Sequence, residues 1–175
     1  MVMTDLAAAL QRAKTVLQRR PETGVHDDAP ATARWERGTR VEASHPNGQR
    51  LLTDMPGELG GAGDHITPGW LFRAGLASCA ATSIAMHAAA EGIELTTLEV
   101  KAGSRSDTRG LLGMADASGR SVFAGPREVR VHVRIAANGV APERLRSLVE
   151  RGYRCSPITN AAESALAVHV DVEAA

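Results

Sequence analysis

The period of the hydrophobic positions changes several times along this chain. Leu6, Ala9, Leu10, Ala13, Val16 and Leu17 recur at helical spacing behind Thr4 and Asp5, which predicts a short amphipathic helix, N-capped by Thr4 and ending before Pro21. Residues 21–30 mix Pro, Gly, His and acids without periodicity and read as a linker into β structure. Residues 31–36, 39–44 and 49–54 then read as short strands, with His45-Pro46-Asn47-Gly48 as a hairpin turn. Residues 55–67 carry Gly57, Gly60, Gly61 and Gly63 and predict a loop whose backbone can approach another group closely.

Thr67 and Pro68 form an N-cap and first-turn pair, opening a helix that runs to about Glu91 and stops at Gly92. Within it Trp70, Leu71, Phe72, Leu76, Ile84, Met86 and many alanines surround the axis instead of forming one stripe. A helix that is apolar all round needs cover on every side, so a second copy of the chain is expected to supply the missing wall. Residues 95–102 predict a strand and 103–125 a long polar loop. Val129, Val131, Val133 and Ile135 alternate with Arg130, His132 and Arg134, which predicts a strand with one wet face. Pro142, Leu145, Leu148 and Val149 predict a helix to about Tyr153, residues 161–165 a further helical turn, and Leu166, Val168, Val170 and Val172 a last strand. The order and type of these elements give the α+β class, a mostly antiparallel sheet with helices on one face.

Composition narrows the possibilities. A chain of 175 residues can bury a core of its own, leaving about 8,000 Å² exposed of the roughly 27,000 Å² an unfolded chain shows. Aromatic residues make up only 3%, so that core must come from aliphatic and small side chains. Twenty basic residues balance twenty acidic ones, which argues against nucleic acid and anionic lipid as partners. Residues 74–90, the longest apolar-looking run, contain Ser78, Thr82, Ser83 and His87 and lack the density of a membrane span. Residues 1–17 carry Asp5 and no continuous apolar stretch, so no secretory signal is read and the expected location is cytoplasmic. The expected organisation is an N-terminal helix and linker over 1–30, followed by one domain over 31–175.

The candidate chemistry gathers on sulfur. Cys79 and Cys155 are the two cysteines, too few for a secreted disulfide scaffold or a thiolate zinc site. They are either small packing residues or a redox pair. Cys79 lies about three turns into its helix, beyond the first-turn dipole, so a thiolate there needs a nearby arginine. Cys155 follows a helix end, just before Ser156 and Pro157, where turns expose side chains. The six histidines, at 26, 45, 65, 87, 132 and 169, show no i, i+4 pair, and no metal is assigned. The glycine loop lacks the G-x-G-x-x-G spacing, and no cofactor is assigned either. His65 and His87 are the histidines expected near Cys79, but a Cys-His hydrolase pair lacks a local signature. Arg105, Arg109 and Arg120 are read as solubilising the long loop.

Glu58-Leu59-Gly60-Gly61-Ala62-Gly63, then Thr67-Pro68, Leu71-Phe72, Ala74-Gly75 and Cys79, resembles the segment leading to the reactive cysteine of the OsmC/Ohr family, the osmotically inducible and organic hydroperoxide resistance proteins. Cys155-Ser156-Pro157-Ile158-Thr159-Asn160-Ala161 resembles that family's second-cysteine motif with one residue inserted between Cys and Pro, and Gly92-Ile93 followed by Leu98-Glu99-Val100 matches its helix-to-strand junction.

The resemblance implies an OsmC-like fold, an intertwined homodimer with long central helices between antiparallel sheets and no cofactor. It implies a thiol peroxidase of organic hydroperoxides in oxidative-stress defence, with Cys79 attacking, Cys155 resolving, and a dithiol reductant such as a lipoylated protein restoring both thiols. The family's thiolate-stabilising arginine falls on Arg37, with Arg40 as second match; a guanidinium is permanently charged and can hold thiolate and oxyanion together. The site walls are expected from Leu71, Phe72, Leu76 and Ile158. One departure stands out: Gly69, followed by Trp70, occupies the position where peroxidase members carry a Glu that clamps the arginine, leaving Glu58 or Asp64 as substitutes. Trp70 would narrow or cover the pocket. The alternative is an OsmC-like dimer that binds a small apolar ligand at its interface and has lost rapid peroxide chemistry.

Overall fold

The structure is a computed structural model that describes residues 3–164 and 166–174. The described residues divide into two compact units, Ala9–Gly75 and Leu76–Ala175 with Met1–Ala8. Helix α1 (Met3–Arg19) carries the predicted N-terminal pattern, but it already includes Met3, so Thr4, the predicted cap, lies within the helix and not before it.

The first unit is built on a three-stranded antiparallel sheet of β1 (Thr32–Arg37), β2 (Arg40–Ser44) and β3 (Arg50–Thr53), in that order. The predicted hairpin turn closes as the Gly48 N–H donates to the His45 carbonyl at 3.0 Å, with Gly48 at a φ of +91° that a side chain would resist. After β3 the glycine-rich loop returns so that Ile66 bridges Thr53 in parallel. Helix α2 (Pro68–Ala90) begins as its sequence predicts: the Thr67 hydroxyl accepts from the Trp70 N–H at 3.1 Å, with Pro68 in the first turn.

In the second unit β4 (Leu95–Arg105) and β5 (Glu128–Ala137) form a long antiparallel pair, with Val100 facing Val133. Along β5, Val131, Val133 and Ile135 are half-buried whereas Arg130, His132 and Arg134 are exposed, as the alternation predicts, but Val129 near the start of the strand is 43% exposed. Helix α4 (Pro142–Arg154) places Leu145 and Leu148 in a core with Ala88 and Ile93. On α2 the buried positions Leu76, Ala80, Ser83, Ile84 and Ala88 recur at helical spacing. One face of the apolar helix is thus covered, while Met86 stays 39% exposed.

Three expectations change. The polar stretch is shorter than predicted, because β4 runs on to Arg105 and Thr108–Leu111 form a short helix α3, whose first turn is capped as Asp107 accepts from the Arg109 N–H at 3.1 Å. The last helix, α5 (Pro157–Glu163), starts four residues earlier than read, because Pro157 is itself a favourable first-turn residue. Ala165, the end of the predicted turn, lies outside the described residues. The predicted strand over 166–172 makes no ladder; Leu166, Val168, Val170 and Val172 remain 66–82% exposed. Alternation supplies a strand's side chains, but a strand also needs an edge to pair with. No helix among the described residues is long and apolar enough to cross a membrane.

Candidate active site

Helical periodicity sets one wall of the site. Counting from Cys79 on α2, the positions three, four and seven residues on are Thr82, Ser83 and Met86, which share its face. Helix α4 packs against this helix with no spacer: an added Cβ on Gly152 would stand 2.7 Å from the Ile84 Cα. Ser83 uses the close approach, its buried hydroxyl donating to the Gly152 carbonyl at 2.7 Å. This contact brings the end of α4, and the chain beyond it, onto the cysteine's helix.

The segment from Cys155 to Asn160 folds into a tied corner. At the end of α4 and in the turn after it, side chains of the next helix add donors to carbonyls that have few or no helical ones. The Asn160 amide donates to the Arg154 and Ser156 carbonyls, each at 2.8 Å, and the buried Thr159 hydroxyl donates to the Ser156 carbonyl at 2.9 Å with Tyr153 O a longer second acceptor at 3.2 Å. The Tyr153 hydroxyl donates to Glu163 at 2.7 Å, and that carboxylate pushes the phenol up to about 12. Cys155 stands exposed at the start of this corner.

Both cysteines line one cavity of about 560 Å³. Its other walls are Met86, Pro157 and Ile158, the hydroxyl residues Ser78, Thr82 and Ser83, and His87. Cys79 is half-buried, and its Sγ accepts a hydrogen bond from the Ile158 N–H at 3.5 Å. A donor aimed at the sulfur favours negative charge there. No Asp, Glu, Lys or Arg lines this cavity. Of the predicted walls Ile158 is present, whereas Leu76 is 2% exposed in the core and absent from the lining. The hydroxyl stripe and Met86 were not assigned to the site from the sequence, although counting helical turns from Cys79 finds them.

The arginine candidates belong to the other unit. Arg37 ends β1, is exposed, and its side chain has no ion pair or hydrogen bond among the described residues. It lines a polar cavity of about 360 Å³ with Gly38, Thr39, Arg40, Asp54 and the loop residues 60–62. Arg40 is held by two acids, Asp54 at 3.2 Å and Asp64 more closely. The hydrogen bond to Asp64, above all, raises the Arg40 guanidinium further above its ordinary value. Asp54, 3% exposed, accepts from the Thr39 hydroxyl at 2.6 Å and from the Ala62 and Met55 N–H groups at 3.1 and 2.8 Å. The Thr39 hydroxyl first, then the Ala62 N–H, hold its carboxyl far below the usual carboxylate range. Asp64, one of the two acids named as substitutes for the acid missing at Gly69, therefore meets Arg40, while Glu58 stays exposed. Trp70 is 48% exposed. His65 stands 3.8 Å from Asp64. No metal-binding group of His, Cys, Asp and Glu occurs among the described residues.

A family model described as OsmC-like protein matches residues 61–171. The chain belongs to the OsmC-like family. Several of the solved structures it resembles carry that name or that of the organic hydroperoxide resistance proteins. An organic hydroperoxide resistance protein from Elizabethkingia anophelis is 25% identical, with a TM-score of 0.59 over 79% of this chain and 89% of that one. An OsmC-like protein from Mycoplasma pneumoniae is 16% identical, with a TM-score of 0.64 over 79% and 89%. An organic hydroperoxide resistance protein OsmC from Legionella pneumophila is 22% identical, with a TM-score of 0.57 over 78% and 90%. No curated protein matches the chain. In this OsmC-like chain the matched span holds Cys79, His87 and Cys155, while Arg37 and Arg40 precede it.

Proposed function

We propose that this OsmC-like protein reduces organic hydroperoxides with its two thiols. The observation that carries the reading is that Cys79 and Cys155 open onto one largely apolar cavity. In the first step the Cys79 thiolate attacks the outer oxygen of R–O–O–H. The O–O bond breaks, an S–O bond forms, and RO⁻ leaves to take up a proton as the alcohol. In the second step the Cys155 thiolate attacks the Cys79 sulfenic sulfur, forming the S–S bond and expelling hydroxide, which becomes water on protonation. Two thiols and one hydroperoxide give one disulfide, one alcohol and one water. A dithiol reductant then returns both cysteines to thiols.

Each residue has a separate task. The Ile158 N–H supports charge on Cys79, and Met86 and Ile158 exclude water from the apolar part of the peroxide. Arg37 is the cationic residue of the reaction in this proposal, since Arg40 is already taken up by Asp54 and Asp64. The exposed face of α2 is covered by a second copy of the chain, giving a homodimer. The test is hydroperoxide consumption by the reduced protein and its Cys79→Ser variant: the variant should be inactive, and intact activity would overturn the reading.

Gly69 favours a second reading, in which the family's clamping acid is gone and the cavity serves to bind an apolar ligand. Thiol counting separates the two. Rapid loss of both thiols per chain on adding an organic hydroperoxide supports catalysis, and slow, partial loss supports binding.

A further inference from the structure

The thiol cycle makes no use of His87, yet it lines the cavity that both cysteines border. Its Nδ1 lies 2.8 Å from the Ser83 carbonyl oxygen. A carbonyl can only accept, so Nδ1 carries the hydrogen, and the neutral ring keeps its lone pair on Nε2. Among the described residues Nε2 has no hydrogen-bond partner. His87 is also the one side chain in the lining that can carry positive charge.

Its position relative to Cys79 follows from the helix. Eight residues at the α-helical rise set the two Cα atoms ~12 Å apart along the axis. The rest of the lining includes Met86, Pro157 and Ile158, with the Thr82 hydroxyl as a single polar group on the cysteine's face of the helix, since the Ser83 hydroxyl is already engaged by Gly152. A ligand reacting at Cys79 and reaching His87 is therefore largely apolar along its length and polar at its far end.

We propose that His87 is the head-group anchor of the cavity, pairing through Nε2 with the carboxyl group of a substrate whose apolar chain crosses Met86 and Ile158 to Cys79. A carboxyl group and an imidazole share a single proton between them. The pair forms as O–H···N or as O⁻···H–N, so either ionisation state binds. An ester offers acceptors only and meets a lone pair on the neutral ring. The reacting end of this substrate rests on the peroxidase reading, but the anchor is a statement about binding.

The test is protection of Cys79 from iodoacetamide in full-length Cys155→Ser protein, where Cys79 is the remaining thiol, with decanoic acid or methyl decanoate as the probe. The acid should protect at about tenfold lower concentration than the ester, the difference one charge-assisted hydrogen bond makes. His87→Phe, which keeps a ring and loses Nε2, should erase that preference, and His87→Gln, which regains an N–H donor, should restore part of it. Equal protection by acid and ester in protein retaining His87, or a preference that survives His87→Phe, would overturn the anchor. Neither result touches the thiol cycle, and a failed peroxidase assay would not alter this comparison, because it reads occupancy alone.

Discussion

The Ser83 hydroxyl and the Gly152 carbonyl meet at 2.7 Å, four residues after one cysteine and three before the other. That contact, with Gly152 set against Ile84, joins the helix of Cys79 to the chain that delivers Cys155. Gly152→Ala must push α4 away, since a Cβ would stand 2.7 Å from backbone and 2.9 Å from the Ile84 Cγ1. Overpacking of this kind costs about 1–3 kcal/mol. The expected outcome is a lower Tm in thermal unfolding together with slower closure of the disulfide between Cys79 and Cys155.

The two cysteines should fail in different ways. Cys79→Ser removes the attacking sulfur and should abolish hydroperoxide consumption. Cys155→Ser should consume one equivalent per chain and stop with a sulfenic acid on Cys79, which dimedone labelling followed by mass spectrometry detects. Repeated turnover in Cys155→Ser with a dithiol reductant absent would contradict the assigned order.

The corner after Cys155 depends on Thr159, which is 1% exposed and whose hydroxyl donates to the Ser156 carbonyl with Tyr153 O as second acceptor. Thr159→Val keeps the shape and removes the hydroxyl donor, while the Ser156 carbonyl keeps the Asn160 donors and the Tyr153 carbonyl keeps the Ser156 N–H, so the loss is that of one hydrogen bond, about 0.5–1.5 kcal/mol. Chemical denaturation should show the loss as a lower midpoint with an unchanged slope.

Acid should weaken the first unit through Asp54. Its folded carboxyl titrates below the unfolded value, so its contribution is present above the ordinary carboxylate range and is lost as pH falls through that range, beginning near about pH 4. Thermal unfolding of the wild type should therefore lose Tm steeply below that pH. Asp54→Asn should start lower and fall less over the same interval, and parallel curves would contradict the role given to Asp54.

Local patterning was readable where a residue's own chemistry fixes the backbone. Thr67 and Pro68 start α2 where the sequence places it, and the alternation around Val131 and Val133 makes the one-sided strand it predicts. Cys79 and Cys155 stood out through the motifs around them, and the structure adds that both border one cavity. Arg40 shows the limit. Its two acids lie 14 and 24 residues away in the chain, and only the return of the glycine-rich loop assembles them. The same reason hid Gly152: a glycine's packing role depends on what comes against it, here Ile84 from a helix 68 residues earlier. The alternation of Val168, Val170 and Val172 promised a strand, but pairing is a property of two segments, and a pattern describes one.

The most direct test of the two-thiol account is a single-turnover reaction of the reduced, full-length protein with one equivalent of cumene hydroperoxide, followed by intact and peptide mass spectrometry. The account predicts a chain lighter by two hydrogen atoms, with Cys79 and Cys155 joined within it and one equivalent of the alcohol released. A chain that keeps both thiols free while the hydroperoxide persists would contradict it.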